Sequence, residues 1–111
     1  MEIIVRTVEA TTVVDLTGEL DATTSAAAQQ RILPLVQSGG KLLLGMRGVT
    51  YMSSAGLRML LSTHRHVTES GGRLVLVGLS PELRETMSVT GFLNFFVTND
   101  DVDLALRELN A

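Results

Sequence analysis

No cysteine occurs among the 111 residues, so disulfides, thiolate metal sites and cysteine nucleophiles are excluded. Tryptophan is absent and aromatics reach only 4%, which leaves Leu, Val, Ile, Ala and Met to build a core. The histidines, His64 and His66, are two apart, and on a helix that spacing points them about 200° from one another, too far to share a metal. No apolar run approaches the ~18–20 residues that span a bilayer. Met1-Glu2-Ile3-Ile4-Val5-Arg6 lacks the basic start, long apolar stretch and small-residue cleavage site of a signal peptide, so a soluble cytoplasmic protein with no membrane partner is expected. Nine Lys and Arg are scattered against twelve Asp and Glu, for a net charge of −3. A nucleic-acid binder gathers its basic residues into a patch, and none is visible, so no nucleic-acid partner is expected.

What is present suits a packed α/β domain. The chain is 45% apolar, far from the low hydrophobicity of disordered segments, and its length fits a single domain over residues 1–111. Ile3 to Val8 and Thr12 to Thr17 are β-branched-rich runs around Glu9-Ala10-Thr11, which predicts an antiparallel hairpin. Gly18-Glu19-Leu20-Asp21 breaks that pattern. From Ala22 to about Ser38 the spacing of Ala28, Ile32, Leu35 and Val36 is helical, with Asp21 or Thr23 as N-cap. Pro34 inside it removes a hydrogen bond to Gln30 and predicts a kink.

Lys41 to Met46 and Arg73 to Leu79 are almost wholly apolar strands, the kind found in the middle of a parallel sheet covered by helices. Between them Ser54 to Ser70 predicts a helix with Leu57, Leu60, Leu61 and His64 or Val67 inward. Arg58, Ser62, Arg65 and Glu69 fall on the opposite side, where Arg65 and Glu69 can pair. Ser80-Pro81 starts a further helix that ends near Gly91. Phe95-Phe96-Val97 predicts a last strand, and Asn99 or Asp100 caps a closing helix with Val102, Ala105, Leu106 and Leu109 inward. The order is ββαβαβαβα, a mixed, mostly parallel sheet with helices packed against it.

The informative stretch is Gly48-Val49-Thr50-Tyr51-Met52-Ser53-Ser54-Ala55-Gly56-Leu57. A buried strand ends, a short loop turns and a helix begins at two serines, an alanine and a glycine. Free N–H groups and the positive dipole end at a helix start favour an anion. The small residues Ala55 and Gly56 keep the approach open for another protein. A serine before a helix also serves as a cap, worth ~1 kcal/mol. Two serines need not both cap, which leaves one for chemistry.

Tyr51-Met52-Ser53-Ser54-Ala55-Gly56-Leu57-Arg58-Met59-Leu60-Leu61 resembles the phosphorylation segment of STAS-domain anti-sigma-factor antagonists. Gly18-Glu19-Leu20-Asp21 resembles that family's G-x-L-D signature after the second strand, and the element order is similar over essentially the whole chain. The resemblance implies the STAS fold and a partner switch. The unphosphorylated antagonist binds an anti-sigma factor that is also a GHKL-type serine kinase, and so releases the sigma factor. The kinase phosphorylates the serine that opens the helix, which breaks the complex, and a dedicated serine phosphatase restores it.

Alignment places the acceptor at Ser54. Many members carry an acidic residue just before the phosphoserine where this chain has Ser53, which keeps Ser53 as the alternative acceptor. Ala55 stands where others have Ser, and Gly45 where Asp is frequent. Asp21 is expected beside the phosphorylation loop, either orienting a hydroxyl and meeting a partner or capping the following helix. Met52, Ser53, Gly56, Arg58, Met59 and Ser62 are the further candidate partner contacts, with Met59 equally suited to the core.

Other readings find less support. A serine hydrolase needs a base near its nucleophile and a strand-to-helix elbow, yet no G-x-S-x-G is present and both histidines lie on the helix after Ser54. Neither a phosphate-binding G-x-x-x-x-G-K-[ST] loop nor a dinucleotide fingerprint occurs. No enzyme activity and no cofactor or metal are expected. Within the same fold, the alternative job is a non-switching scaffold subunit of a stress-signalling or lipid-transport complex.

Overall fold

The computed structural model describes residues 1–111. Strand β1 (Glu2–Val8) pairs antiparallel with β2 (Thr11–Leu20), placing Val5 opposite Val14 and Ile4 opposite Asp15. Helix α1 (Ala22–Ile32) then leads to β3 (Lys41–Met52), helix α2 (Ser54–Glu69) to β4 (Arg73–Val77), and helix α3 (Pro81–Val89) to β5 (Val97–Asn99). Helix α4 (Val102–Leu109) closes the chain. Strands β2 to β5 are parallel and the sheet order is β1-β2-β3-β4-β5, so the mixed sheet and the order of elements match expectation.

Apolar residues on both sides of the central strands reflect helices on both faces. Leu42, Leu43 and Leu44 are all fully buried although they alternate in direction along β3. Leu42 and Leu44 join Val14, Leu16, Ile32, Leu60, Leu76 and Met87 in the main core. Leu43 joins Val13, Val75 and Val77 on the other face, beneath Ala105, Leu106 and Leu109 of α4. Helix α2 buries Leu57, Leu60 and Val67 as expected, and His64 sets its ring edge-on to Phe96 at 5.2 Å.

Six local expectations are corrected. The Gly18-Glu19-Leu20 segment does not break β2; the strand continues to Leu20 through register shifts against β3, with Gly18 at φ 118°. Strand β3 likewise extends to Met52 rather than Met46, because its pairing with β2 resumes beyond the irregularity. Pro34 ends α1 instead of kinking it: the helix stops at Ile32, and Leu33–Leu35 form a separate 3₁₀ turn. Leu33 keeps helical backbone at φ −56° and ψ −42°, but Pro34 has no N–H to continue the α-helical ladder, so the chain tightens into the 3₁₀ turn. Phe95 and Phe96 precede the last strand, since Leu93–Phe95 are a 3₁₀ turn and β5 begins at Val97. The cap of α4 is Asp101, whose side chain accepts from the N–H of Leu104, while Asn99 Oδ1 accepts from the N–H of Asp101. Arg65 and Glu69 also stay apart; the ion pairs are Arg6–Asp15 at 3.5 Å and Arg84–Asp100 at 3.8 Å. Exposed i, i+4 pairs gain too little to hold two long side chains together.

Gly45 has a specific reason. It lies opposite Asp15 in the register, and a Cβ there would overlap Asp15 Oδ1. Asp15 thus folds over the bare backbone of β3 while its Oδ2 accepts from Arg6 Nε. Gly45→Ala should therefore destabilise the protein when Asp15 is present and be neutral or stabilising in an Asp15→Ala background. A double-mutant cycle by urea unfolding reads this coupling, expected at about 0.5–3 kcal/mol; purely additive changes would contradict the contact.

Candidate functional site

The connections from β2 to α1 and from β3 to α2 are one residue each, Asp21 and Ser53. Two helices therefore start directly off neighbouring parallel strands, side by side. The N–H of Ser53 donates to the carbonyl of Leu20 at 2.8 Å, which joins the two starts. Asp21 and Ser54 each lie one residue beyond that bond. The expected neighbourhood of the Gly18-Glu19-Leu20-Asp21 motif and the serine pair is thereby realised.

Gly56 makes this approach close. A Cβ on Gly56 would lie 2.7 Å from the carbonyl oxygen of Leu20, 2.8 Å from Met52 Cγ and 2.9 Å from Leu20 Cβ. The first turn of α2 is thus pressed against the end of β2, with no room for a side chain. Met52 and Gly56, two of the expected partner contacts, are buried, so they seat the helix and offer little surface of their own.

The two serines divide the work. Ser53 is the N-cap of α2: its backbone is extended, and its Oγ accepts from the N–H of Gly56 at 3.3 Å. Ser54 is the first helical residue, is exposed, and its hydroxyl makes no hydrogen bond within the protein. No acidic side chain occupies the first turn of α2, so the positive end of the helix is uncompensated there.

Asp21 caps α1 through a reciprocal box. Its Oδ1 accepts from the N–H groups of Thr23 and Thr24 at 3.0 and 2.9 Å, and the N–H of Asp21 donates to Thr24 Oγ1 at 2.9 Å. The Thr24 hydroxyl also lies 2.6 Å from the carbonyl of Glu19, tying the helix start back to β2. The bonds to the carboxylate, from the Thr24 N–H first and then the Thr24 hydroxyl, hold the Asp21 carboxyl below its ordinary value. Those bonds fall on Oδ1, and none falls on Oδ2. Capping therefore engages one carboxylate oxygen and leaves the other without a bond.

Between α1 and α2 runs a groove of about 280 Å³, lined from α1 by Ala22, Ala26 and Gln29 and from α2 by Ala55, Arg58 and Met59. Arg58 and Ser62 are exposed at this groove; Met59 is 4% exposed and forms part of its floor as a core residue. Gln29 Nε2 donates to Ser62 Oγ at 2.7 Å and bridges the helices. Gln29, Ala22 and Ala26 were not singled out from the sequence. The signal was the small-residue run Ser25-Ala26-Ala27-Ala28, which lets α1 lie close to α2. His64 lies elsewhere, against Phe96 and in a separate hollow with Phe92 and Phe95. No group of three or more His, Cys, Asp or Glu could hold a metal ion, and no helix is long and apolar enough to cross a membrane.

Fold and site together describe an α/β module that presents one free hydroxyl at a helix start, beside a carboxylate and a shallow groove. The STAS domain family matches residues 2–105. The anti-sigma-B factor antagonist of Bacillus subtilis strain 168 is 32% identical over 78 residues, which covers 70% of this chain and 72% of that protein. The structure of an anti-sigma factor antagonist from Mycobacterium paratuberculosis superposes with a TM-score of 0.86 at 25% identity, over 99% of this chain and 94% of that one. The anti-sigma factor antagonist SpoIIAA in its unphosphorylated form gives a TM-score of 0.80 at 21% identity, over 96% of this chain and 95% of its own. The Bacillus cell fate determinant SpoIIAA in the phosphorylated form gives 0.75, also at 21%, over 96% and 98%. The chain belongs to the STAS-domain family, among the anti-sigma-factor antagonists.

Two outcomes are expected at the site. Gly56→Ala should lower stability by about 1–3 kcal/mol, because the new methyl meets backbone and a packed neighbour; denaturant unfolding measures it. The Asp21 carboxyl should titrate below the ordinary aspartate value of about 3.9. Since its pKa is lowered on folding, its contribution to stability is present above that ordinary value and is lost as pH falls through the folded one. Carboxyl-detected NMR titration reads the midpoint directly.

Proposed function

We propose that residues 1–111 form a single STAS domain that acts in the cytoplasm as an anti-sigma-factor antagonist, switched by phosphorylation of Ser54. In this reading the unphosphorylated form docks on an anti-sigma factor with GHKL-type serine kinase activity and releases the sigma factor. Phosphate transfer from ATP to Ser54 Oγ breaks the complex, and a serine phosphatase hydrolyses the phosphoester to restore it. The domain itself works by binding and performs no catalysis.

The observation that carries this reading is the division between the serines. Ser53 is held as the cap, so its oxygen is engaged with the backbone of Gly56. Ser54 is exposed and unbonded at the first position of a 16-residue helix. A phosphate there adds about −1.5 to −2 charges, which the helix start and Arg58, one turn along, tolerate. The domain should therefore stay folded. The STAS fold is known in SpoIIAA both without and with phosphate, in keeping with that expectation.

A docked partner faces a different balance. It has to desolvate the new charge and fit around the phosphate at the centre of the contact. A loss of ~3 kcal/mol weakens binding more than a hundredfold. Asp21 Oδ2, Arg58 and Ser62 supply the polar contacts around Ser54, and Ala22, Ala26 and Ala55 leave the groove open to a partner's side chain.

The test uses the partner captured from the native cell and wild-type, Ser53→Ala, Ser54→Ala and Ser54→Asp forms. Ser54→Ala should bind as tightly as wild type and resist phosphorylation, and Ser54→Asp should bind at least a hundredfold more weakly. Ser53→Ala should still be phosphorylated at Ser54, but the lost cap should lower its melting temperature by roughly 4–6 °C, for about 1 kcal/mol. Phosphate mapped to Ser53 would move the acceptor by one residue. Equal binding by all four forms, with no modified serine, would point to a non-switching scaffold instead.

A further inference from the structure

The two edges of the sheet are not alike. Strand β5 offers only the three residues Val97–Asn99. Strand β1 offers seven, Glu2–Val8, in unbroken register with β2 and so without a bulge. Open edges are ordinarily guarded by proline, charged side chains, a bulge or brevity. Strand β1 has no proline, lysine or bulge, and its two charges, Glu2 and Arg6, are of opposite sign. Its outward face also carries Ile4, a large apolar side chain left 52% exposed, while Ile3 and Val5 lie half-buried against the main core.

The charges on this edge are arranged in one further way. Glu2 and Arg6 flank Ile4 symmetrically on the same face of the strand. They are roughly 13 Å apart along β1, too far to pair with one another. Arg6 reaches Asp15 at 3.5 Å, and Glu2 has no ionic partner in its own chain. A second antiparallel β1 supplies what is missing. A two-fold axis normal to the sheet through Ile4 sets Ile4 against Ile4 of the second copy. The same axis sets Glu2 against its Arg6, Arg6 against its Glu2, and Ile3 against its Val5.

Such an axis keeps each face of the sheet on its own side, so the two main cores join and both charge pairs form on the open face. The neighbouring symmetric registers fail. An axis at Val5 sets Arg6 against Ile4 and Glu2 against Val8, and an axis at Ile3 sets Glu2 against Ile4. Opposite charges directly across an antiparallel pair are favourable and like charges are not, so the pattern selects one register.

We infer that the open edge of β1 is a self-association surface, at which two copies of this chain pair antiparallel about Ile4 into one continuous sheet. The occupant is a second copy because the edge is complementary to itself in charge and in apolar position. No residue of β1 lines the α1–α2 groove, so the dimer presents two such grooves. One strand-to-strand contact is small beside a standard interface, and the association is therefore weak and concentration-dependent.

Sedimentation equilibrium over a concentration series tests this with wild type, Glu2→Arg, Arg6→Glu and the double exchange, with circular dichroism confirming the fold of each. Wild type should dimerise reversibly. Each single variant places like charges across both pairs and should weaken the dimer at least tenfold. The double exchange should restore it. An equimolar mixture of the two single variants should also associate, as a heterodimer, because each then faces the opposite charge. Wild type that is monomeric at every concentration would overturn the inference. So would a dimer indifferent to either exchange, or single variants that fail to rescue one another on mixing.

Discussion

The hydrogen bond from the N–H of Ser53 to the carbonyl of Leu20 holds two helix starts against each other. It forms because β2 and β3 are parallel neighbours that end together, and because each hands over to its helix within a single residue. Gly56 is the condition for that geometry, since any side chain there would strike Leu20 and Met52. Once the starts are fixed, the rest follows from local rules. Ser53 must cap, Asp21 must cap, and Ser54 is left as the first helical side chain, turned to solvent.

This arrangement separates stability from the switching proposed for Ser54. The caps and the buried apolar residues are complete without the Ser54 hydroxyl, so a change at that oxygen leaves folding largely alone. On the proposed function, a partner seated over the site would feel the same change as a new desolvated charge. Local chemistry at a rigid surface can therefore decide binding without a conformational rearrangement, and the positive end of α2 helps the free, modified domain to tolerate the charge. Asp21 shows the same economy, with one carboxylate oxygen engaged in the cap and the other outward.

Much of the fold was legible because periodicity reports burial. The doubly apolar Leu42-Leu43-Leu44 run marked a central strand, and Ser80-Pro81 marked a helix start that the structure keeps, with Ser80 Oγ accepting from the N–H of Leu83. The pairing of Gly18-Glu19-Leu20-Asp21 with Ser53-Ser54 was legible as a motif, yet only the structure shows that one backbone bond joins them. What escaped was set by tertiary partners. Strand β3 runs past its apolar stretch because β2 continues beside it, and Gly45 is explained by Asp15, thirty residues away in sequence but opposite it in the sheet. The α1 side of the groove was missed because alanines carry no chemical signal of their own. Pro34 signals a disruption in the sequence, but periodicity alone does not distinguish the expected kink from the observed stop and 3₁₀ turn.

On the proposed function, the partner meets the two helix starts and the groove between them. Hydrogen–deuterium exchange of the domain, free and bound to its anti-sigma factor, tests it most directly. New protection is expected at residues 21–29 and 53–62, with α4 and the outer face of β1 unchanged. Protection centred on α4 or on the hollow beside Phe92 and Phe95, with the Ser54 region unaltered, would contradict it.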